Sequence, residues 1–174
     1  METGKLKSML KSVNCEMLVS VLPADGLEIF NKQNMPPAKF CTILNTDPHP
    51  LPGEHWICLA VLEGERLLIF DSLASNQHLN NTFVKRFCNL FPPGNLYKNE
   101  GLLQDPFSPS CGLFCVYFFH CLCNEHLSFK SIIENKFTDN LNENECIVLE
   151  FVNSRYDKAL YKNVQSTCER AGEY

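Results

Sequence analysis

Cys111 stands between Ser110 and Gly112 at the head of an apolar run, CGLFCVYFFHCLC. A thiol attacks as its thiolate, and a helix N-terminus favours negative charge at that place. Ser110 is a capping residue type, and a glycine at 112 lets a neighbouring segment approach closely. Judged alone, Cys111 could equally be an inert core cysteine. His55 opens one apolar stretch and Asp71 closes the next. A hairpin that sets Leu62 against Arg66 sets Ile57 against Asp71, and His55 then lies two residues away on the same face. The carboxylate can hold one imidazole nitrogen and leave the other to take or share the thiol proton. A slip of one residue would separate the two. Gln104 precedes Cys111 by seven residues. Its amide and the Cys111 N–H are suitable donors for the oxyanion that forms when a carbonyl is attacked. The blander readings are a strand-edge histidine, a turn aspartate ahead of Ser72 and a solvated loop glutamine.

The surrounding sequence supplies elements to position these groups. Leu6, Met9, Leu10 and Val13 have helical spacing, and a loop-rich stretch punctuated by Pro23, Gly26, Pro36 and Pro37 follows. KFCTILNT (39–46) predicts a strand, HWICLAVL (55–62) a strand covered on both faces, and LLIFD (67–71) its antiparallel return. Leu79, Phe83, Phe87 and Leu90 predict a helix over 78–91, closed by Pro92-Pro93-Gly94, with a short strand near 95–99. Residues 111–123 are apolar all round, which predicts a buried helix. Helical periodicity returns at 129–137 and 146–160, across an asparagine-rich break. The expected fold is a single α+β domain over 1–174, a central, largely antiparallel sheet packed against the buried helix that bears Cys111.

With 15 Lys+Arg against 20 Asp+Glu the net charge is −5, which gives no electrostatic reason to expect nucleic acid or an anionic membrane as main partner. Hydrophobic residues at 45% exclude a disordered chain. The apolar run at 111–123 is well short of the roughly 20 residues a membrane span needs. The N-terminus, METGKLKSMLKS, has no apolar signal region, and most of the ten cysteines sit inside apolar segments. A reduced, intracellular, unsecreted protein is expected.

Taken together, LKSMLKSVNC (6–15), FCTILNT (40–46), GEHWICLAV (53–61), LLIFDSL (67–73) and QDPFSPSCGLFCVYFFH (104–120) resemble, in order, segments of the adenovirus endopeptidase family of cysteine proteases. That family is related in fold to the proteases of SUMO and other ubiquitin-like proteins. The Gln-to-Cys separation of seven is that of the adenovirus enzymes, whereas the SUMO-protease branch commonly has six. The resemblance implies a papain-like arrangement with nucleophile Cys111, base or ion-pair partner His55, orienting acid Asp71 and oxyanion donor Gln104. Adenovirus enzymes often carry glutamate where this chain has Asp71. Trp56 follows the histidine as in the family. The implied substrates are viral precursor polypeptides, capsid or core proteins cleaved by a monomer in the infected nucleus or cytoplasm or inside the particle. The adenovirus enzyme is activated by DNA and by a disulfide-tethered viral peptide, but Pro93 occupies the tethering position and Cys88 falls in an expected helix. No cofactor is required for the chemistry, and the resemblance leaves open whether a peptide or DNA activates this chain.

Three rival readings remain at this level. A deconjugating protease for ubiquitin-like modifiers shares the chemistry and differs in substrate. A zinc module could draw on Cys115, His120, Cys121, Cys123 and His126, although no C-x2-C pair or second cluster completes a site; otherwise His120 and His126 suit the negative end of the buried helix. The third is a binding protein that keeps the fold and no longer cleaves.

Overall fold

Trp56–Leu62 (β3) is the strand on which the molecule is organised. In the computed structural model, which describes residues 1–13, 17–51, 53–63 and 66–157, every residue of β3 is buried except the half-buried Leu62. Side chains alternate across a strand, so Trp56, Cys58 and Ala60 enter one apolar cluster while Ile57, Leu59 and Val61 enter a second on the opposite face. The unbroken apolar reading of β3 thus corresponds to a sheet covered on both sides.

The sheet has five strands in the order β1-β2-β3-β4-β5: Leu18–Leu22, Phe40–Asn45, β3, Arg66–Phe70 and Leu96–Lys98. Its centre is antiparallel, with Leu62 opposite Arg66 and Cys58 opposite Phe70, the register expected from sequence. Both outer ladders are parallel, so the sheet is mixed. β1 lies in the stretch expected to be loop. Its five residues run beside β2 from Leu18–Phe40 to Leu22–Leu44, and a parallel neighbour requires a long crossover, here residues 23–39 with a 3-10 turn at Ala24–Ile29. The prolines and glycine mark that crossover and leave the strand before it intact.

Helix α4 (Cys111–Cys123) is buried at every residue but His120. It lies against β3 and among α1 (Thr3–Leu10), α5 (Phe129–Lys136) and α6 (Leu141–Arg155). Phe118 stacks on Phe70 with ring centroids 4.5 Å apart, and Phe137 follows at 5.9 Å from Phe70. Burial of each such ring contributes about 1.5–3 kcal/mol. At Gly112 a Cβ would come within 3.2 Å of Leu6 Cδ2, so this glycine does admit α1 closely.

Two helices differ from expectation. The segment expected as one helix over 78–91 is two, α2 (Asn76–Leu79) and α3 (Thr82–Cys88). Asn81 starts the second: its Oδ1 accepts from Phe83 N and Val84 N, and its Nδ2 donates to Thr46 O at 2.7 Å. A capping side chain at that point competes with helix continuation. Helix α6 starts at Leu141 within the asparagine-rich break, because Asn144 and Glu145 of its first turns are buried. Cys15 and positions 158–160 of the last expected helix lie outside the described residues. No helix among the described residues is long and apolar enough to cross a membrane.

Gly53 sits two residues before His55 with φ +84°, and a Cβ there would overlap the Asn45 side-chain amide. That amide is fixed by accepting from Asp47 N at 3.0 Å. Gly53→Ala is expected to destabilise the fold by about 1–3 kcal/mol, read as a lower denaturant midpoint at unchanged m-value.

Candidate active site

Cys111 is the first residue of α4, where backbone N–H groups have no acceptor within the helix and the dipole is positive. Ser110 occupies the cap position without capping. Its hydroxyl donates to the Glu145 carboxyl, with both oxygens within 2.8 Å, and the Ser108 hydroxyl stands 2.8 Å away. Burial raises the Glu145 pKa against the opposing effect of these serine hydrogen bonds. A carboxyl of α6 therefore anchors the loop that leads into the nucleophile position.

His55 immediately precedes β3 and Asp71 immediately follows β4, so the hairpin register brings them together. His55 Nε2–H donates to Asp71 Oδ1 at 2.7 Å, with the residues 3% and 4% exposed. Nδ1 is left to face elsewhere, and the Cys111 thiol is near enough to act on the ring electrostatically. Burial lowers the His55 pKa, but the bond to Asp71 and the interaction with Cys111 outweigh it, and the net shift is upward. For Asp71, burial raises the pKa; the bonds from His55 and His78 and their charges more than reverse this, holding the carboxyl well below the usual range.

Asp71 is held by more than His55. Leu73 N donates to Oδ1 at 2.9 Å and Ser75 N to Oδ2 at 3.1 Å. His78 Nδ1–H donates to Oδ2 at 2.8 Å, and its ring stacks on that of His55 with centroids 4.2 Å apart. Asn99 Oδ1 accepts from Asp71 N at 2.9 Å while its Nδ2 donates to Asp71 O at 2.7 Å, extending by side chain the ladder that ends at Lys98. Neither His78 nor Asn99 was legible as part of the site: one lay inside the expected helix 78–91, the other at the end of a short expected strand. The run Asp71-Ser72-Leu73-Ala74-Ser75, rich in turn-forming types, was the signal that the chain curls round the carboxylate.

Gln104 is buried, with 1% exposed. Its Oε1 accepts from Ser72 Oγ and its Nε2 donates to Ser108 O, each at 2.6 Å. Leu103 N and Gln104 N both donate to Ser72 O. One hydrogen of the Gln104 amide is thereby spoken for and the second remains. The solvated-glutamine reading does not hold at this burial.

Burial governs several other described thiols. Burial pushes Cys41 up to about 12 and Cys88 and Cys121 to about 11, so they stay protonated at neutral pH. Cys115 Sγ donates to Trp56 O at 3.4 Å inside the core. Among the described residues the grouping Cys115, His120, Cys121, Cys123 and His126 forms no metal cluster. His120 Nε2 lies 3.5 Å from the Glu125 carboxylate, and burial followed by the Arg155 charge lowers its pKa. His55, Asp71 and His78 do offer ligand atoms within 4.8 Å of one another. A cation there would have to displace both N–H···O bonds to the carboxylate.

An α+β fold with a cysteine opening its central helix, beside a histidine–aspartate pair and a buried glutamine, is the arrangement expected of a thiol-dependent hydrolase. The sequence profile described as adenovirus endoprotease matches residues 30–169, and the chain belongs to that family. Similar proteins include the protease of Bovine adenovirus 7, 34% identical over 90 residues, or 45% of each chain. The protease of Bovine adenovirus C serotype 10 is 28% identical over 95 residues, 48% of each. These alignments thus span about half the length of those relatives. The protease of Ovine adenovirus D serotype 7 (isolate OAV287) is 28% identical over 141 residues, 65% of this chain and 68% of that one. Solved structures with some likeness include ChlaDub1 from Chlamydia trachomatis, with TM-score 0.41 and 20% identity over 67% of this chain and 51% of that one. The central domain of a Legionella pneumophila protein gives 0.47 and 13% over 99% and 89%.

Proposed function

We propose that the chain is a cysteine endopeptidase that cleaves viral precursor polypeptides, with Cys111 as nucleophile, His55 as its base, Asp71 as orienting acid and Gln104 as oxyanion donor. The observation that carries this reading is the 2.7 Å His55–Asp71 bond, on a ring whose other partner is the cysteine at the N-terminus of α4. His55 takes the Sγ proton, and the thiolate–imidazolium pair is favoured by the Asp71 carboxylate and the helix dipole. Sγ attacks the scissile carbonyl, and the oxyanion receives the second Gln104 amide hydrogen and the Cys111 N–H. The tetrahedral intermediate collapses as His55 protonates the departing amine, leaving a thioester on Cys111. Water, deprotonated by His55, then releases the acid and regenerates the thiol.

Family membership supports precursor polypeptides as the substrate class. The net charge of −5 and Pro93 at the tethering position support hydrolysis without DNA or a disulfide-linked peptide. The test is labelling by an electrophilic peptide, with the modified residue located by mass spectrometry. Modification confined to Cys111 is expected; modification of other cysteines with Cys111 untouched would overturn the assignment. Gln104→Ala is expected to lower kcat by about 10²–10³-fold, the usual effect of losing one oxyanion donor, with a smaller change in KM in a fluorogenic peptide assay.

A further inference from the structure

We propose that His78 is a positioning residue of this site, so that the Asp71 carboxylate is shared between two stacked imidazoles and the working unit is Cys111–His55–Asp71–His78. The inference rests on the hydrolytic reading of Cys111 and His55 and adds a residue outside the four named from the sequence.

Each oxygen of Asp71 is assigned to one imidazole and one backbone N–H. His55 Nε2–H and Leu73 N donate to Oδ1, and His78 Nδ1–H and Ser75 N donate to Oδ2. The chain between the aspartate and the second histidine is shaped for this. Ala74 N returns to Asp71 O at 2.9 Å, Ala74 takes a positive φ of 47°, and Ser75 Oγ accepts from Gln77 N to open α2. A non-glycine residue in that backbone region carries strain, and here it delivers His78 to the carboxylate. The rings lie 22° from parallel, so His78 forms a floor under His55. His55 thus meets α4 through Cys111 and α2 through His78.

The consequence is orientational. Without His78, Oδ2 would keep Ser75 N alone, and the His55 ring would lose the neighbour stacked on one face. With Oδ2 held by two donors and the His55 ring floored, the carboxylate and the imidazole are each held in one orientation. Misplacement of a reacting group by about 1 Å can cost about 10²-fold.

Three substitutions separate the donor from the ring. Asparagine places an amide N–H near the position of Nδ1, phenylalanine keeps a ring and loses the donor, and alanine removes both. His78→Phe and His78→Ala are expected to lower kcat about tenfold with KM within about twofold, and His78→Asn to restore kcat to within about threefold of the parent. In NMR spectra the His55 Nε2–H proton should move or broaden in His78→Phe and stay near its parental position in His78→Asn. Parental kcat in His78→Phe, or His78→Asn no better than His78→Ala, would overturn the proposal; should the phenylalanine variant not fold, the Asn–Ala comparison decides. Loss of the hydrolytic reading itself shows separately, as parental turnover that survives Cys111→Ala, and the NMR comparison still reads the His78–Asp71 coupling in that event.

Discussion

Cys111→Ala is expected to abolish peptide hydrolysis, a loss of at least about 10⁴-fold, while leaving the chain folded. The sulfur is the only atom of the chain that the proposed reaction bonds to substrate, and without it the oxyanion donors and bound water support only residual rates. The structural cost is small because one atom is removed beside the sheet end and the Cβ packing of α4 is kept. A change in stability within about 1 kcal/mol follows, checked by thermal melts alongside the peptide assay. Turnover retained by the pure variant would refute the nucleophile assignment.

The second large effect is that of Asp71→Asn, with kcat lowered by about 10²–10⁴-fold, the range that a positioned proton transfer contributes. An amide has one acceptor oxygen, whereas Asp71 now receives His55, His78, Leu73 N and Ser75 N. One side of the new residue must present its NH₂ to two donors, leaving buried groups unsatisfied at about 1–3 kcal/mol each. The pH dependence follows from the two shifts. The depressed Asp71 pKa contributes stability that is present above the unfolded value of about 3.9 and is lost as pH falls through the folded one. The raised His55 pKa contributes stability that is full below about 6.5 and is lost as pH rises through the folded value. Parental stability should therefore decline towards both acid and alkaline pH from these two groups, and Asp71→Asn should flatten both limbs in denaturation measured across pH. Unchanged limbs would count against the pairing.

The parts of the fold legible in the sequence are those where burial is uniform or strictly alternating. β3 and α4 are apolar almost throughout, and of the two hairpin registers the sequence allowed, the structure has the one with Leu62 opposite Arg66. Hidden parts are those where a polar side chain is turned inward to satisfy backbone. Glu145 and Asn144 read as a solvated break, yet Asn144 Nδ2 donates to Leu103 O and Thr138 O while Glu145 takes Ser110. A loop such as 100–110 that lies on a core must find partners for its peptide groups, and a single sequence does not say which distant residues provide them. Asn81 and Asn99 were hidden for the same reason, each replacing a backbone partner that a regular helix or strand would have had.

Ser72 joins two arms of the site. Its carbonyl is shared by Leu103 N and Gln104 N, its hydroxyl is spent on Gln104 Oε1, and its neighbour is the carboxylate that holds His55. Local opening in proteins proceeds in cooperative units, and this junction makes the acid arm and the amide arm one such unit. The two arms are therefore expected to open together, which amide exchange at Leu73, Ser75, Leu103 and Gln104 would read as matched protection.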